Sequence, residues 1–175
     1  MAKRNVFNRR MQHILRLSDE HTPIIKTIQR NSLAATRCRL DAPFDETTNP
    51  PPREDAYMIV IQIRGKNSRE LWLDGKPIKT EPLGAGGVVF HDMRQSPRFY
   101  FHDPLDSVNY FLPRKILDTI ADEADAPRIS DLNFTPGVLT GEGHAMIAAT
   151  LLPRIMAAIN RRPNDALPSS KARQP

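Results

Sequence analysis

Cysteine is almost absent from this chain of 175 residues, which has one thiol, Cys38. No disulfide can therefore form within the chain, and this fits the reducing cytoplasm, where we expect the protein to reside. Arg37 and Arg39 flank the thiol and could lower its pKa, but no organised base accompanies it, so we interpret Cys38 as an ordinary thiol. No apolar run approaches the roughly 20 residues of a membrane-spanning helix, and no apolar stretch follows the basic N-terminus. We predict neither a membrane segment nor a signal peptide.

Recognisable catalytic motifs are also absent. No serine lies in a Gly-x-Ser-x-Gly turn, and the adjacent carboxylates Asp122 and Glu123 diverge on a predicted helix. The five histidines include no His-x-His pair, so a metal site of clustered imidazoles is not indicated. Gly84, Gly86 and Gly87 lack the spacing of a phosphate-binding loop and predict a tight bend. We predict no catalytic, cofactor-binding or metal-binding residues, and a protein that is not an enzyme.

Positive charge is unevenly distributed. Residues 1–40 hold nine Lys or Arg against two acids, whereas residues 41–175 hold sixteen against eighteen. We interpret residues 1–40 as a basic N-terminal arm with short helical or strand elements, in which 37–40 is an edge strand. The proline-rich residues 41–54 predict a linker, and the polar residues 161–175 predict a disordered tail.

Residues 55–113 consist of short apolar or alternating runs separated by Gly, Pro and Asp. This pattern predicts a compact β-meander or barrel, and Asp74-Gly75 predicts a tight hairpin. The apolar period then becomes helical. We predict one helix from Pro113 to about Ala126 and a second over residues 144–160, where Ile147, Leu151 and Ile155 recur on one face. These three residues are candidates for a dimer contact.

Most of the aromatic residues fall in the β region, and an aromatic-rich barrel can bind a small organic molecule. Simple filling of the core remains an alternative for each of them. Our candidates for the lining of a ligand pocket are Tyr57, Ile59, Ile61, Trp72, His91 and Tyr110.

Three segments carry a resemblance to a known family. Residues 70–78 (Glu-Leu-Trp-Leu-Asp-Gly-Lys-Pro-Ile), 91–97 and 104–118 resemble the amino-terminal half of AraC/XylS-type transcriptional regulators. The resemblance covers about residues 50–153. It implies a cupin-like β-barrel followed by helices, which senses a small molecule and dimerises. In that family a carboxy-terminal pair of helix-turn-helix motifs binds DNA, and this sequence offers no counterpart to it.

The sequence therefore predicts an α+β, mainly β fold, a cupin-like β-barrel or sandwich followed by two helices, with residues 55–160 as the sensory domain. We expect a small-molecule-sensing or dimerisation domain whose partners are a small organic effector and a second copy or a full-length relative. We expect no sequence-specific DNA binding. The alternatives are a cupin-fold enzyme, a small-molecule binder unrelated to transcription, a non-functional truncated regulator, and a nucleic-acid binder acting weakly through the basic arm.

Overall fold

Two antiparallel sheets lie face to face in the computed structural model, which describes residues 13–14, 24–30, 33–43, 45–123, 125–128 and 130–138. The strands are β1 (Ile24–Arg30), β2 (Leu33–Leu40), β3 (Ala56–Gln62), β4 (Arg69–Leu73), β5 (Lys76–Ile78), β6 (Val88–Asp92), β7 (Arg98–Phe101) and β8 (Leu105–Pro113). A short 3-10 helix spans Met93–Gln95, and helix α1 spans Arg114–Glu123.

The larger sheet has the order β1-β2-β8-β3-β6, and the smaller has the order β5-β4-β7. Strand β3 lies between β8 and β6, as its two largely apolar faces predict. Its register places Met58 opposite His91 and Phe111, and Ile59 opposite Phe90 and Tyr110. Because side chains alternate across a strand, the even-numbered residues of β3 share one face and the odd-numbered residues share the other.

The even face of β3 points toward the smaller sheet. Met58 packs in one core cluster with Leu71 of β4 and Phe99 and Phe101 of β7. The same cluster takes Cys38 from β2. The main core therefore fills the space between the two sheets, as in other sandwiches.

The Asp74-Gly75 hairpin is confirmed. Asp74 and Gly75 both have positive φ, at 50° and 79°, which is the backbone of a two-residue turn that matches strand twist. The turn joins β4 to β5, with Leu73 paired to Lys76.

The segment with Gly84, Gly86 and Gly87 forms a bend in the connection from β5 of the smaller sheet to β6 of the larger sheet, not a phosphate-binding loop. Gly86 has φ of 78°, and its N–H donates to the Gln62 carbonyl at 2.8 Å. The Gln62 N–H donates in turn to the Gly87 carbonyl at 3.0 Å. The bend thus continues the pairing at the end of β3.

The predicted boundary between a basic arm, residues 1–40, and the rest of the chain does not match the sheet. Residues 24–30 and 33–40 are not part of a separate arm, because they form β1 and β2, and β2 lies between β1 and β8 inside the sheet. Cys38 and Leu40 face the core, while Arg37, which precedes Cys38, points outward to Asp106. Alternation therefore explains the basic residues of β2, and 37–40 is not an edge strand.

The proline-rich residues 41–43 and 45–54 have no regular secondary structure, but they pack against the smaller sheet. Thr48 is fully buried. Its N–H donates to the Phe99 carbonyl at 2.8 Å, and its Oγ1 accepts from the Phe99 N–H at 2.9 Å. The Asn49 N–H donates to the Ile14 carbonyl at 2.7 Å. This segment therefore covers β7 and is not a free spacer.

Helix α1 begins one residue after its predicted start, because Pro113 still belongs to β8. It ends at Glu123, before the predicted end near Ala126. The predicted helix over 144–160 and the predicted tail over 161–175 lie outside the described residues. Within the described residues, no helix is long and apolar enough to cross a membrane.

Candidate ligand-binding site

A cavity lies between the two sheets. The space open to the centre of a water-sized sphere is about 40 Å³, which corresponds to roughly three water molecules. Its apolar lining includes Met58, Val60, Leu83, Phe99, Phe101 and Leu105. Its polar lining includes Thr48, Gln62, Asn67, Arg69, His91, Ser107 and Asn109.

The strand register explains how these polar residues meet. On β3, Gln62 lies opposite Ser107 of β8, and Met58 lies opposite His91 of β6. Arg69 enters from the other sheet, at the start of β4, where it pairs with Phe101. The cavity therefore brings together side chains that are far apart in the sequence.

Arg69 is the only charged side chain among the described lining residues. It is 6% exposed, and within the described part of the chain no carboxylate forms an ion pair with it. Its Nη1 donates a long hydrogen bond of 3.4 Å to the Glu81 carbonyl, and its Nη2 has no partner. Burial lowers the pKa of Arg69 to about 10, so the group is still charged at neutral pH.

His91 is buried beside Arg69. Its ring makes an edge contact with Phe99 at 4.9 Å between centroids, and its Nδ1 has no hydrogen-bond partner. Burial, and then the positive charge of Arg69, lower the pKa of His91 to about 3. His91 is therefore a neutral imidazole at physiological pH, able to donate from one nitrogen and accept at the other.

Two amide side chains add further unpaired atoms. Gln62 donates from Nε2 to the Arg64 carbonyl at 2.7 Å, which leaves its Oε1 without a partner. Asn67 pairs with Leu83 through its backbone, and its Nδ2 is without a partner. Two donor atoms of the cavity lining, Asn67 Nδ2 and Arg69 Nη2, therefore have no hydrogen-bond partner. Two further atoms that can accept a hydrogen bond, Gln62 Oε1 and His91 Nδ1, also have none.

Cys38 also lines the cavity and is 1% exposed. Burial, and then the nearby charge of Asp106, raise the pKa of its thiol to about 12. The flanking arginines do not lower this pKa. Cys38 is a protonated thiol of the core, as its interpretation as an ordinary thiol implies.

Of the six residues predicted to line a pocket, only His91 is among those that line this cavity. Tyr57, Ile59 and Ile61 lie on the odd face of β3, which points away from it. The cavity instead takes Met58, Val60 and Gln62 from the even face.

Tyr110 and Trp72 lie elsewhere. Tyr110 packs beside Ile59 in a second apolar cluster on the outer side of the larger sheet. Its hydroxyl is buried without a hydrogen-bond partner. Burial raises the pKa of this hydroxyl to about 12. Trp72 is half-buried on β4. It alternates with Leu71 and Leu73, which face the core.

The sequence analysis did not identify Gln62, Asn67 and Arg69. Gln62 carried a usable signal, since it is a polar residue within the apolar run Ile-Val-Ile-Gln-Ile of a strand predicted to be covered on both sides. Arg69 carried none, because an arginine beside a turn is ordinarily exposed.

Asp131 forms a charged hub on the outer side of the sandwich. It accepts hydrogen bonds from the Tyr57 hydroxyl, from Arg94 Nη2 at 2.8 Å and from Arg114 Nη1 at 3.3 Å. These hydrogen bonds, first that of Tyr57, hold the pKa of Asp131 below its usual range. Phe134, three residues later, packs on Tyr57 with 6.1 Å between ring centroids. Together these contacts hold residues 131–134 against β3.

A second hub lies at the other end of the larger sheet. Asp106 accepts two hydrogen bonds of 3.0 Å from Arg37 and one of 2.7 Å from Arg64. Burial raises the pKa of Asp106, but the two arginines outweigh this effect and the net pKa is lowered. The carboxylate is thus fully paired.

Within the described ranges, no group of three or more His, Cys, Asp or Glu side chains is arranged to hold a metal ion. His91 is the only histidine among the described residues that line the cavity.

Comparison with known proteins gives matches in structure only. No family model matches the chain, and no curated protein does. The AraC-like transcriptional activator CuxR superposes with a TM-score of 0.56 at 13% identity, over 82% of this chain and 49% of that protein. A cupin 2 conserved barrel protein from Salinispora arenicola gives a TM-score of 0.41 at 15% identity, over 70% of this chain and 98% of that protein.

The chain thus spans about half the length of the AraC-like activator that it matches. At 13% identity this likeness concerns the fold alone. The predicted α+β, mainly β class is confirmed, because the described residues form two antiparallel sheets followed by a helix, a fold shared with the AraC-like activator.

Proposed function

We propose that this chain is a small-molecule-sensing domain of the type found in AraC-like transcriptional regulators, with the cavity between the sheets as its effector site. One observation carries the proposal. Four buried side chains that line the cavity, Gln62, Asn67, Arg69 and His91, each have a polar atom without a hydrogen-bond partner.

The energetics of these atoms favour a bound molecule. A buried polar atom left unpaired costs about 1–3 kcal/mol, and most buried polar groups in folded proteins have a partner. A cluster of four around one cavity is therefore more readily explained by a ligand or by water than by packing alone. The remaining lining is aromatic and aliphatic, as in many sites for small organic molecules.

The link to transcription is part of the proposal. It is supported by the fold shared with the AraC-like activator and by the resemblance of residues 70–78, 91–97 and 104–118 to that family. The proposed partners are a small organic effector and a second copy or a full-length relative. The dimer candidates Ile147, Leu151 and Ile155 lie outside the described residues and stay a prediction. We propose binding without turnover.

A screen of small polar compounds by thermal shift tests the effector site. Val60→Phe places a larger side chain in the cavity, because Val60 lies on the even face of β3. Ile59→Phe is the matched control on the odd face of the same strand. We expect compounds that raise the Tm of the wild type and of Ile59→Phe by several degrees, with little effect on Val60→Phe.

Circular dichroism establishes that both variants are folded before binding is compared. Compounds that stabilise Val60→Phe as strongly as the wild type would show that binding does not use the cavity. A screen without any stabilising compound would contradict the sensing function itself.

A further inference from the structure

The cavity contains one positive charge and, among the described lining residues, no negative charge. Among the described residues, Arg37 and Arg94 are paired with carboxylates, whereas Arg98 of β7 donates to a hydroxyl and has a buried Nε without a partner. Arg37, whose side chain is 15% exposed, forms a two-pronged contact with Asp106. Arg94 contacts both Asp92 and Asp131. Arg69 is 6% exposed and contacts only a carbonyl oxygen, at 3.4 Å.

A guanidinium in this position is suited to an anion. Its planar array of N–H groups matches the two oxygens of a carboxylate. A buried charge is tolerated chiefly when it is paired, and Nη2 of Arg69 is free to donate. The Nδ2 of Asn67 is a second free donor on the same cavity.

The charge and size of the cavity restrict the anion. His91 is neutral and Cys38 is protonated, so one positive charge is available to balance the ligand. A phosphate dianion would exceed that charge. The open space of about 40 Å³ admits only a few heavy atoms unless side chains move. Phe99 and Phe101 provide an apolar wall for a short carbon chain.

We propose that the ligand of this cavity is a short-chain carboxylic acid bound as its monoanion, with the carboxylate on Arg69 and Asn67. A hydroxyl group on the ligand would supply one donor, to Gln62 Oε1 or to His91 Nδ1, which both lack a partner. The inference rests on the proposed function, because it uses the same cavity, but it commits to a chemical class.

Glycolate and glycolamide provide a direct test, since both have five heavy atoms and a hydroxyl, and only glycolate is charged. Each is titrated into the full chain at constant ionic strength, with chemical shifts of the His91 and Arg69 amides as the readout. We expect glycolate to bind about tenfold more tightly than glycolamide, as for a hydrogen bond to a charged group. Arg69→Met should remove this preference.

Arg98→Met is the matched control. Arg98 lies on the neighbouring strand β7 and donates to Thr47 Oγ1 at 2.9 Å, and it is not among the described residues that line the cavity. Its substitution should leave glycolate affinity within about twofold, as expected for a site without a shared partner. Arg69→Lys, which keeps the charge but not the planar fork, should retain part of the preference.

The outcomes separate this inference from the proposed function. Equal or tighter binding of glycolamide would overturn the carboxylate assignment while leaving a sensing cavity intact. Tighter binding of inorganic phosphate would overturn it in favour of another anion. Unchanged glycolate binding by Arg69→Met would overturn the assignment of Arg69. Lack of binding by both glycolate and glycolamide would overturn the inference, and the wider screen with Val60→Phe would then decide the function.

Discussion

Arg69 in the cavity and Arg37 on the outer face of the larger sheet are two shielded arginines with opposite surroundings. Arg37 reaches Asp106 through two hydrogen bonds of 3.0 Å. Arg69 reaches no carboxylate in the described part of the chain. The outer face thus contains its own counter-charges, whereas the described lining of the cavity holds no carboxylate.

This contrast separates charges that hold the fold from a charge that is available to a ligand. Removing one member of a buried pair leaves an uncompensated charge and costs stability. Removing a buried charge that has no partner relieves a desolvation penalty instead. Substitutions in the two regions should therefore have effects of opposite sign.

The largest effect is expected for Asp106→Asn. The substitution removes the charge that faces both Arg37 and Arg64, and Arg37 is only 15% exposed. Because breaking a buried pair costs 3–5 kcal/mol and Arg64 is partly solvated, we expect a loss of about 3 kcal/mol in the free energy of unfolding. Urea denaturation at pH 7 measures it.

Asp41→Asn is the matched control, since Asp41 pairs with Arg39 at 2.7 Å but is 69% exposed, and exposed pairs contribute little. The pKa of Asp106 is lowered in the folded state, so its contribution is present above its ordinary value of 3.8. It should decline as the pH falls through the lower folded pKa. Equal losses for Asp41→Asn and Asp106→Asn would contradict the hub.

The outer hubs and the cavity also differ in how far the sequence could predict them. The strands β3 to β8 were predictable because apolar alternation and turn residues are local signals, and Asp74-Gly75 specified its own turn. Strand β2 was recognised only over residues 37–40 and as an edge strand, because Arg37 and Arg39 made residues 1–40 resemble a charged arm. Its place in the sheet follows from its pairing with β8, and the counter-charge of Arg37 is Asp106 of that strand, 69 residues away.

The cavity was less predictable for a related reason. Both faces of β3 are largely apolar, so the sequence does not indicate whether Met58 or Ile59 faces the second sheet. That choice follows from how β4 and β7 pack on β3. The significance of Arg69 lies in the lack of a carboxylate near it, and this depends on the tertiary arrangement of the whole sandwich.

A smaller effect, opposite in sign, is expected for Arg69→Met in the absence of ligand. Methionine keeps the apolar stem and removes the buried charge, whose pKa is lowered to about 10 by burial. A base with a lowered folded pKa destabilises the fold while it is charged, and this penalty declines as the pH rises from about 10 toward the ordinary value of 12.5. We expect a gain of about 2 kcal/mol at pH 7.

Arg37→Met is the paired variant on the outer face. It should lower stability, because Asp106 is 8% exposed and loses its two-pronged partner. Urea denaturation of both variants gives the comparison. A loss of stability in both variants would mean that contacts other than its hydrogen bonds stabilise Arg69. The charge of Arg69 would then already be balanced within the protein and would not be available to a ligand.

The smallest effect is expected for Asp131→Asn, which tests the outer hub where it is exposed. Asparagine keeps one acceptor for the Tyr57 hydroxyl but removes the charge that faces Arg94 and Arg114. Global stability should change little, because exposed ion pairs contribute little. The effect should instead be local, with faster hydrogen exchange at the Leu132 amide, which donates to the Tyr57 hydroxyl at 3.3 Å.

Asp55→Asn is the control for this last variant, because Asp55 contacts the same Arg114, at 3.4 Å, but lies outside the segment 131–134. Its substitution should leave exchange at Leu132 unchanged. Faster exchange in both variants would assign the effect to Arg114 and not to Asp131. Unchanged hydrogen exchange at Leu132 in Asp131→Asn would show that the packing of Phe134 on Tyr57 holds residues 131–134. The outer face would then depend, like the core, on apolar contacts more than on its charges.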